Sequence, residues 1–361
     1  MKKMFMMSVP EDLEEVIDIL RSKQWLLSAF DVSDDLLYNP ANFIFFRKTE
    51  GIDYRLILDR NIFDYIVSSY RKPSEESHRA AIALVVFCQI SDIHIDASMA
   101  LHENLKIPGS SLNESLEELD FFYRVDDSPY IETLIQYAIG AKSSYEINSE
   151  MQKSKKLDEI SDWYDKYEKL KGWDSLYLIM LKIVDIYLSK HKTKVKLRLL
   201  LEWMYKEFRF SIVASYYALI LFSSKRPKRM MKYKETASLD IRKKQISNMT
   251  WDLFVCDYYI KQLKENQQDV EILFATADKA LKELVSFFVK SSICENPWNY
   301  FREYFSTPND FQLVETLEKS NHFTGPREFE GKYFKNPYQR YILIDELEIK
   351  LGLKRTATNS C

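Results

Sequence analysis

The chain has 361 residues, 46% of them hydrophobic, and a net charge of −3. That much apolar material fills one large core or two, which excludes a disordered chain, and the near-neutral balance offers no global attraction to nucleic acid. Only seven Gly and ten Pro stand against 23 Tyr and 22 Phe, a balance that favours long helices over a turn-rich all-β fold. Cys88, Cys256, Cys294 and Cys361 show no CxxC spacing, so neither a zinc site nor a disulfide framework is suggested.

In chain order, the two Lys near the start are cut off by Pro10-Glu11-Asp12 before a signal-peptide core develops. The longest apolar stretch, 211–222, is too short and too Tyr-rich to span a bilayer. The expectation is a cytoplasmic protein with no membrane partner. Residues 10–30 read as a helix with Leu13, Val16, Ile17 and Leu20 on one face. Phe43-Ile44-Phe45-Phe46 and the run 54–58, joined by Lys48-Thr49-Glu50-Gly51, read as a β-hairpin or two adjacent strands. A helix is expected over 61–71. Another is capped by Ser74-Glu75-Glu76-Ser77 and runs to Gln89, its stretch 83–87 apolar throughout and therefore central. Ile93-His94-Ile95 suggests a short strand, and 97–104 a helix carrying Glu103.

From 126 to 222 the sequence is charged, aromatic-rich and helical, with apolar residues at three and four spacing in 163–167 and 176–188. Six of the ten residues in 225–234 are basic (Lys225, Arg226, Lys228, Arg229, Lys232, Lys234), and Pro227 makes this run a loop. A helix over 251–265, a strand over 270–274 and a helix over 279–289 restore the α/β rhythm. The Pro-containing tail after 291 ends in a helix over 341–351.

Two segments carry the chemistry. Arg55-Leu56-Ile57-Leu58-Asp59 and Ile272-Leu273-Phe274-Ala275-Thr276-Ala277-Asp278 are each an apolar run of strand length that ends in an acid and leads into helical sequence. Open α/β sheets collect ligands at the carboxyl ends of parallel strands, so acids far apart in the chain can meet there. Two carboxylates brought together repel unless a cation lies between them.

Asp59 with Asn61, then Glu103, then Asp252, then Thr276-Ala277-Asp278-Lys279-Ala280-Leu281, in this order and context, resemble the PIN-like nuclease family. The resemblance covers about 55–110 and 245–290 and is most specific at the last motif; Arg60 departs from the small polar residue more common there. It implies an α/β fold, a three-layer α/β/α arrangement around a central, mainly parallel sheet, with a large all-α insertion and a C-terminal extension. The expected division is 1–125 and 236–290 for the two halves of the PIN-like domain, 126–235 for the insertion ending in the basic loop, and 291–361 for the extension. Asp257 competes with Asp252 for the third acid, since residues five apart on a helix differ by about 140°; Asp252 is preferred because it would open its helix.

The resemblance further implies a metal-dependent endoribonuclease of bacterial toxin, phage-defence or RNA-processing type. Asp59, Glu103, Asp252 and Asp278 would hold Mg2+ or Mn2+ through hard oxygen donors, and Asn61 and Thr276 would orient ligands by hydrogen bonds. RNA is the expected substrate, and an inhibitory or activating protein partner and a homo-oligomer are left open. The alternative is a non-catalytic PIN-like scaffold that binds RNA or protein through its insertion; DNA cleavage is a weaker third reading. The basic run 225–234 is either a solvated loop or a contact for RNA phosphates, and 190–198 reads as an exposed helix face, with RNA contact the lesser reading. His94, His102 and His191 form no metal-ligand pair.

Overall fold

The alternation of apolar runs and amphipathic stretches folds, in the computed structural model, into an α/β protein dominated by helix, with a small mixed sheet. Residues 10–28, 33–72, 75–105, 111–147, 172–265, 269–320 and 337–354 are described. Backbone contacts divide the chain into two units, Met1–Glu168 with Lys261–Lys282, and Lys169–Ile260 with Glu283–Cys361.

The first unit carries the sheet. Its strands β1 (Leu26–Ser28), β2 (Asp53–Leu58), β3 (Ile93–Asp96) and β4 (Val270–Ala275) lie in the order β1-β4-β2-β3. β2 pairs in parallel with both β3 and β4, while β1 closes the outer edge of β4 antiparallel. The helices α1 (Leu13–Lys23), α2 (Asp34–Leu37), α3 (Pro40–Glu50), α4 (Arg60–Ser68), α5 (Glu76–Ser91), α6 (Ser98–Leu105), α7 (Leu112–Asp126) and α8 (Ile131–Ala138) belong to the same unit. Alternate strand positions point to opposite faces. Tyr54, Leu56 and Leu58, with Ile93, Ile95, Leu273 and Ala275, join one buried core with α5. Every side chain from Ala80 to Cys88 is buried, which fits a helix without a polar face; α1, α3, α4, α7 and α8 all pack on it.

Four details differ from the sequence reading. The helix expected over 10–30 stops at Lys23, where Gln24 turns left-handed at φ 55°; Trp25 then offers its carbonyl to the Thr276 amide at 3.1 Å, and β1 follows. Phe43-Ile44-Phe45-Phe46 is not a strand but part of α3. The Asn39 side chain accepts from the Ala41 amide at 3.1 Å, Pro40 starts the helix, and left-handed Gly51 (φ 74°) ends it. The cap of α5 is Glu75, with no side-chain hydrogen bond; Ser74 lies outside the described residues, as do 163–167. The helix expected to begin at Trp251 begins at Leu239.

The second unit is helical. It comprises α9 (Trp173–Leu188), α10 (Thr193–Lys206), α11 (Ile212–Phe222), α12 (Leu239–Glu265, as far as Ile260), α13 (Lys279–Ile293, from Glu283), α14 (Pro297–Tyr304), α15 (Pro308–Ser320) and α16 (Pro337–Lys350). The first unit's helix α8 lies in the stretch that the sequence assigned to the insertion, whereas 283–361 folds with 169–260. An aromatic cluster fills part of the second unit's interior: Phe287 stacks on Phe301 with centroids 5.1 Å apart, and Tyr216 meets Phe301 edge-on at 4.9 Å. Trp173 and Trp251 form a second contact at 4.6 Å. The basic run 225–234 is irregular, as its Pro227 predicts. Among the described residues, no helix is long and apolar enough to cross a membrane.

Candidate active site

Because β2, β3 and β4 run parallel, their carboxyl ends share one edge of the sheet. Asp59 follows β2, Asp96 closes β3 and Thr276 follows β4; their exposures of 8%, 7% and 1% mean that each polar group needs a partner inside the protein. Asp59 caps α4, its Oδ1 accepting the Arg60 amide at 2.8 Å. Its Oδ2 accepts the Thr276 hydroxyl at 2.5 Å and the Asn61 side-chain amide. Asn61 reaches across to the other strand end, where its Oδ1 accepts the Ala277 amide at 2.9 Å. Thr276 Oγ1 also accepts the Asp278 amide at 3.0 Å. Asp278 in turn caps α13, its Oδ1 accepting from the Ala280 amide at 2.8 Å and the Leu281 amide at 3.3 Å.

One hydroxyl therefore links the two acids that the sequence singled out, donating to the carboxylate of one and accepting from the backbone of the other. The β2 and β4 ends are joined by side chains as well as by the ladder, in which Asp59 N donates to Ala275 O at 2.9 Å. Asp96 completes the edge: its Oδ1 accepts the Ser98 amide at 2.9 Å and its Oδ2 pairs with Arg55. Sequence reasoning missed Asp96, although Ile93-His94-Ile95 followed by an acid repeats the signal that identified Asp59.

Around the start of α4 lies a second group of charges. Arg60 Nε donates to Asp64 Oδ2 at 3.1 Å. Burial pushes the Asp64 carboxyl above its ordinary range, against the opposing pull of Arg60. Glu118 is also pushed up, chiefly by burial and then by the like charge of Asp64, with Arg60 and Arg71 opposing.

The remaining expected site residues lie elsewhere. Glu103 is partly exposed on α6, which packs on α4, α7 and β2. Asp252 belongs to the second unit, where Lys232 holds its carboxylate at 2.7 and 3.0 Å. Since α12 starts at Leu239, Asp252 does not open a helix, and that ground for preferring it to Asp257 is removed. Of the basic run, Lys225, Arg226, Lys228, Arg229 and Lys234 are exposed, whereas Lys232 is half-buried on Asp252.

Among the described residues, no group of three or more His, Cys, Asp or Glu side chains is assembled to hold a metal. The donors at the strand ends are nevertheless of the right chemistry for a hard cation: Mg2+ is commonly held by one or two carboxylates, with waters and substrate phosphates completing its shell. Comparisons with protein families, curated proteins and solved structures returned no match to this chain.

Proposed function

We propose that this protein is a metal-dependent nuclease of PIN-like fold that hydrolyses RNA phosphodiesters at the carboxyl edge of its sheet. The observation that supports this most is the Asp59-Thr276-Asp278 linkage, which fixes two acids of the resemblance on adjacent parallel strand ends. Asp59 and Asp278 would hold Mg2+ or Mn2+. When bound, such an ion supplies a polarised water and neutralises charge on the phosphoryl oxygens. Thr276 and Asn61 keep the Asp59 carboxylate in one orientation through hydrogen bonds, so less reorganisation is needed when the phosphodiester arrives. The starts of α4 and α13 add positive backbone potential at the same edge, which favours a phosphate. This proposal leaves Asp252 to its ion pair with Lys232.

A specific observation favours a second reading. Asp59 and Asp278 both serve as helix N-caps, a structural role that needs no metal. On that reading the domain is a non-catalytic scaffold for RNA or protein. The two are separated by incubating the protein with Mn2+ or Mg2+ and a panel of transfer, ribosomal and messenger RNA with single-stranded DNA, beside Asp59→Asn and a chelated control. The nuclease reading expects metal-dependent cutting of RNA that Asp59→Asn loses. Intact substrates throughout, with RNA binding unchanged in the variant, would favour the scaffold.

A further inference from the structure

The two basic runs that are separate in the sequence meet in the second unit, and Tyr187 is where they meet. Arg226 donates from Nη1 to the Tyr187 hydroxyl at 2.8 Å, and its guanidinium carbon stands 5.9 Å from the ring centroid. Lys196, from the other run, donates to the Tyr187 carbonyl, and its Nζ lies 5.2 Å from the same centroid. The loop bearing Arg226 is rooted. Pro227, Met230 and Tyr233 are buried, and Ser224 donates from its amide, at 2.8 Å, and from its hydroxyl to the buried carboxylate of Asp310. Its cations are thus carried on fixed backbone, which lowers the entropy lost when they order on a ligand.

Around this junction Lys190, Lys192, Lys194, Lys225, Lys228 and Arg229 are exposed. No acid occurs in 186–201 or in 208–234. Arg198 pairs with Glu202 at 3.8 Å; the other exposed cations are like charges that repel, and a polyanion relieves that repulsion while releasing its own counterions. Cations stand close to both rings of this surface, Lys196 and Arg226 at 5.2 and 5.9 Å from the Tyr187 centroid and Lys225 Nζ at 6.0 Å from that of Tyr304. Neither 186–198 nor 223–234 exposes a large apolar side chain, which argues against insertion into a lipid surface.

We infer that 190–198 and 225–229, pinned together across Tyr187, form one surface that binds the phosphate backbone of an RNA strand without reading its bases. The choice of RNA rests on the proposed nuclease activity; the phosphate chemistry does not. Lys232, held by Asp252, is outside this surface.

The test uses the full chain with a chelator, so that neither a metal nor cleavage is required. Anisotropy of fluorescein-labelled oligouridylate is followed against salt for the parent, for Lys190→Ser/Lys192→Ser, for Lys225→Ser/Lys228→Ser, and for Lys243→Ser/Lys244→Ser, which removes equal charge from exposed sites on α12. Each of the first two pairs is expected to lower the slope of log affinity against log salt by up to ~1.4, at ~0.7 for each phosphate no longer neutralised, and the third to leave it near the parent value. Vesicles containing phosphatidylserine are expected not to bind. The inference is overturned if the oligonucleotide does not bind, if only one of the first two pairs matters, if the α12 pair weakens binding as much, or if vesicles bind and RNA does not. Failure here with metal-dependent cutting intact would leave the nuclease reading standing; binding as expected by a protein that cuts nothing would do the reverse.

Discussion

At the scale of single residues, Thr276 is the position where structure and proposed chemistry coincide. Its hydroxyl is buried and makes two hydrogen bonds between strand ends. Thr276→Val keeps the shape but removes one of the hydrogen bonds to Asp59 Oδ2, which keeps that from Asn61, and the acceptor of the Asp278 amide, at a cost of about 1–3 kcal/mol. Urea unfolding should show that loss, and Thr276→Ser should recover most of it; equal stability of Val and Ser variants would contradict the linkage. Glu118 supplies a pH test. Its carboxyl is raised in the folded state, chiefly by burial, so the folded chain holds the proton more tightly than the unfolded chain does. Stability from this group is present at low pH and is lost as pH rises from the ordinary carboxylate value of about 4 through the raised one. Glu118→Gln should therefore melt higher than the parent at neutral pH, with the two curves converging as the solution is acidified toward about pH 4. A variant that melts lower at neutral pH would show that the charge stabilises the fold.

At the scale of elements, α3 separates what pattern can reveal from what it cannot. Phe43-Ile44-Phe45-Phe46 has no period and suits either a strand or a buried helix. The decision rests with Asn39-Pro40 before it and Gly51 after it, signals that the sequence contained. Asn39→Ala should cost about 1 kcal/mol through the lost cap. Gly51→Ala should cost about another 1–2 kcal/mol through its left-handed backbone alone, since nothing lies within 4 Å of the added methyl. The two effects should add in chemical denaturation, being at opposite ends of the helix; no effect of either would argue against α3. By contrast α5, β2 and β4 were legible because their apolar runs are long and end in sharp polar boundaries, which marked Asp59 and Asp278, whereas Asn61 and Thr276 came from the resemblance. β1 was not legible, because three residues carry no periodicity and the strand exists through pairing with β4. The true start of α12 was hidden because its first turns are charged nearly all round, as in Arg242-Lys243-Lys244. Asp252 was consequently misjudged as a helix opener.

At the scale of the whole molecule, the sheet unit is assembled from two distant stretches, and its second strand in spatial order comes from Lys261–Lys282. A chain ending at Glu168 lacks β4, so both β1 and one edge of β2 lose their partner. Such a fragment should show no cooperative thermal transition by circular dichroism; a sharp transition would mean that the first stretch folds alone. The catalytic proposal also belongs to this scale, because Asp59 and Asp278 become neighbours only once the sheet closes around 261–282. The most direct measurement is the single-turnover cleavage rate of an RNA cut by the parent, with saturating protein and Mn2+, for the parent and for folded Asp59→Asn. A hydrolytic strand-end site predicts a fall of at least about a hundredfold, on the order of 3 kcal/mol in the barrier, with RNA affinity close to the parent. An unchanged rate in Asp59→Asn, or no metal-dependent cleavage by the parent, would contradict it.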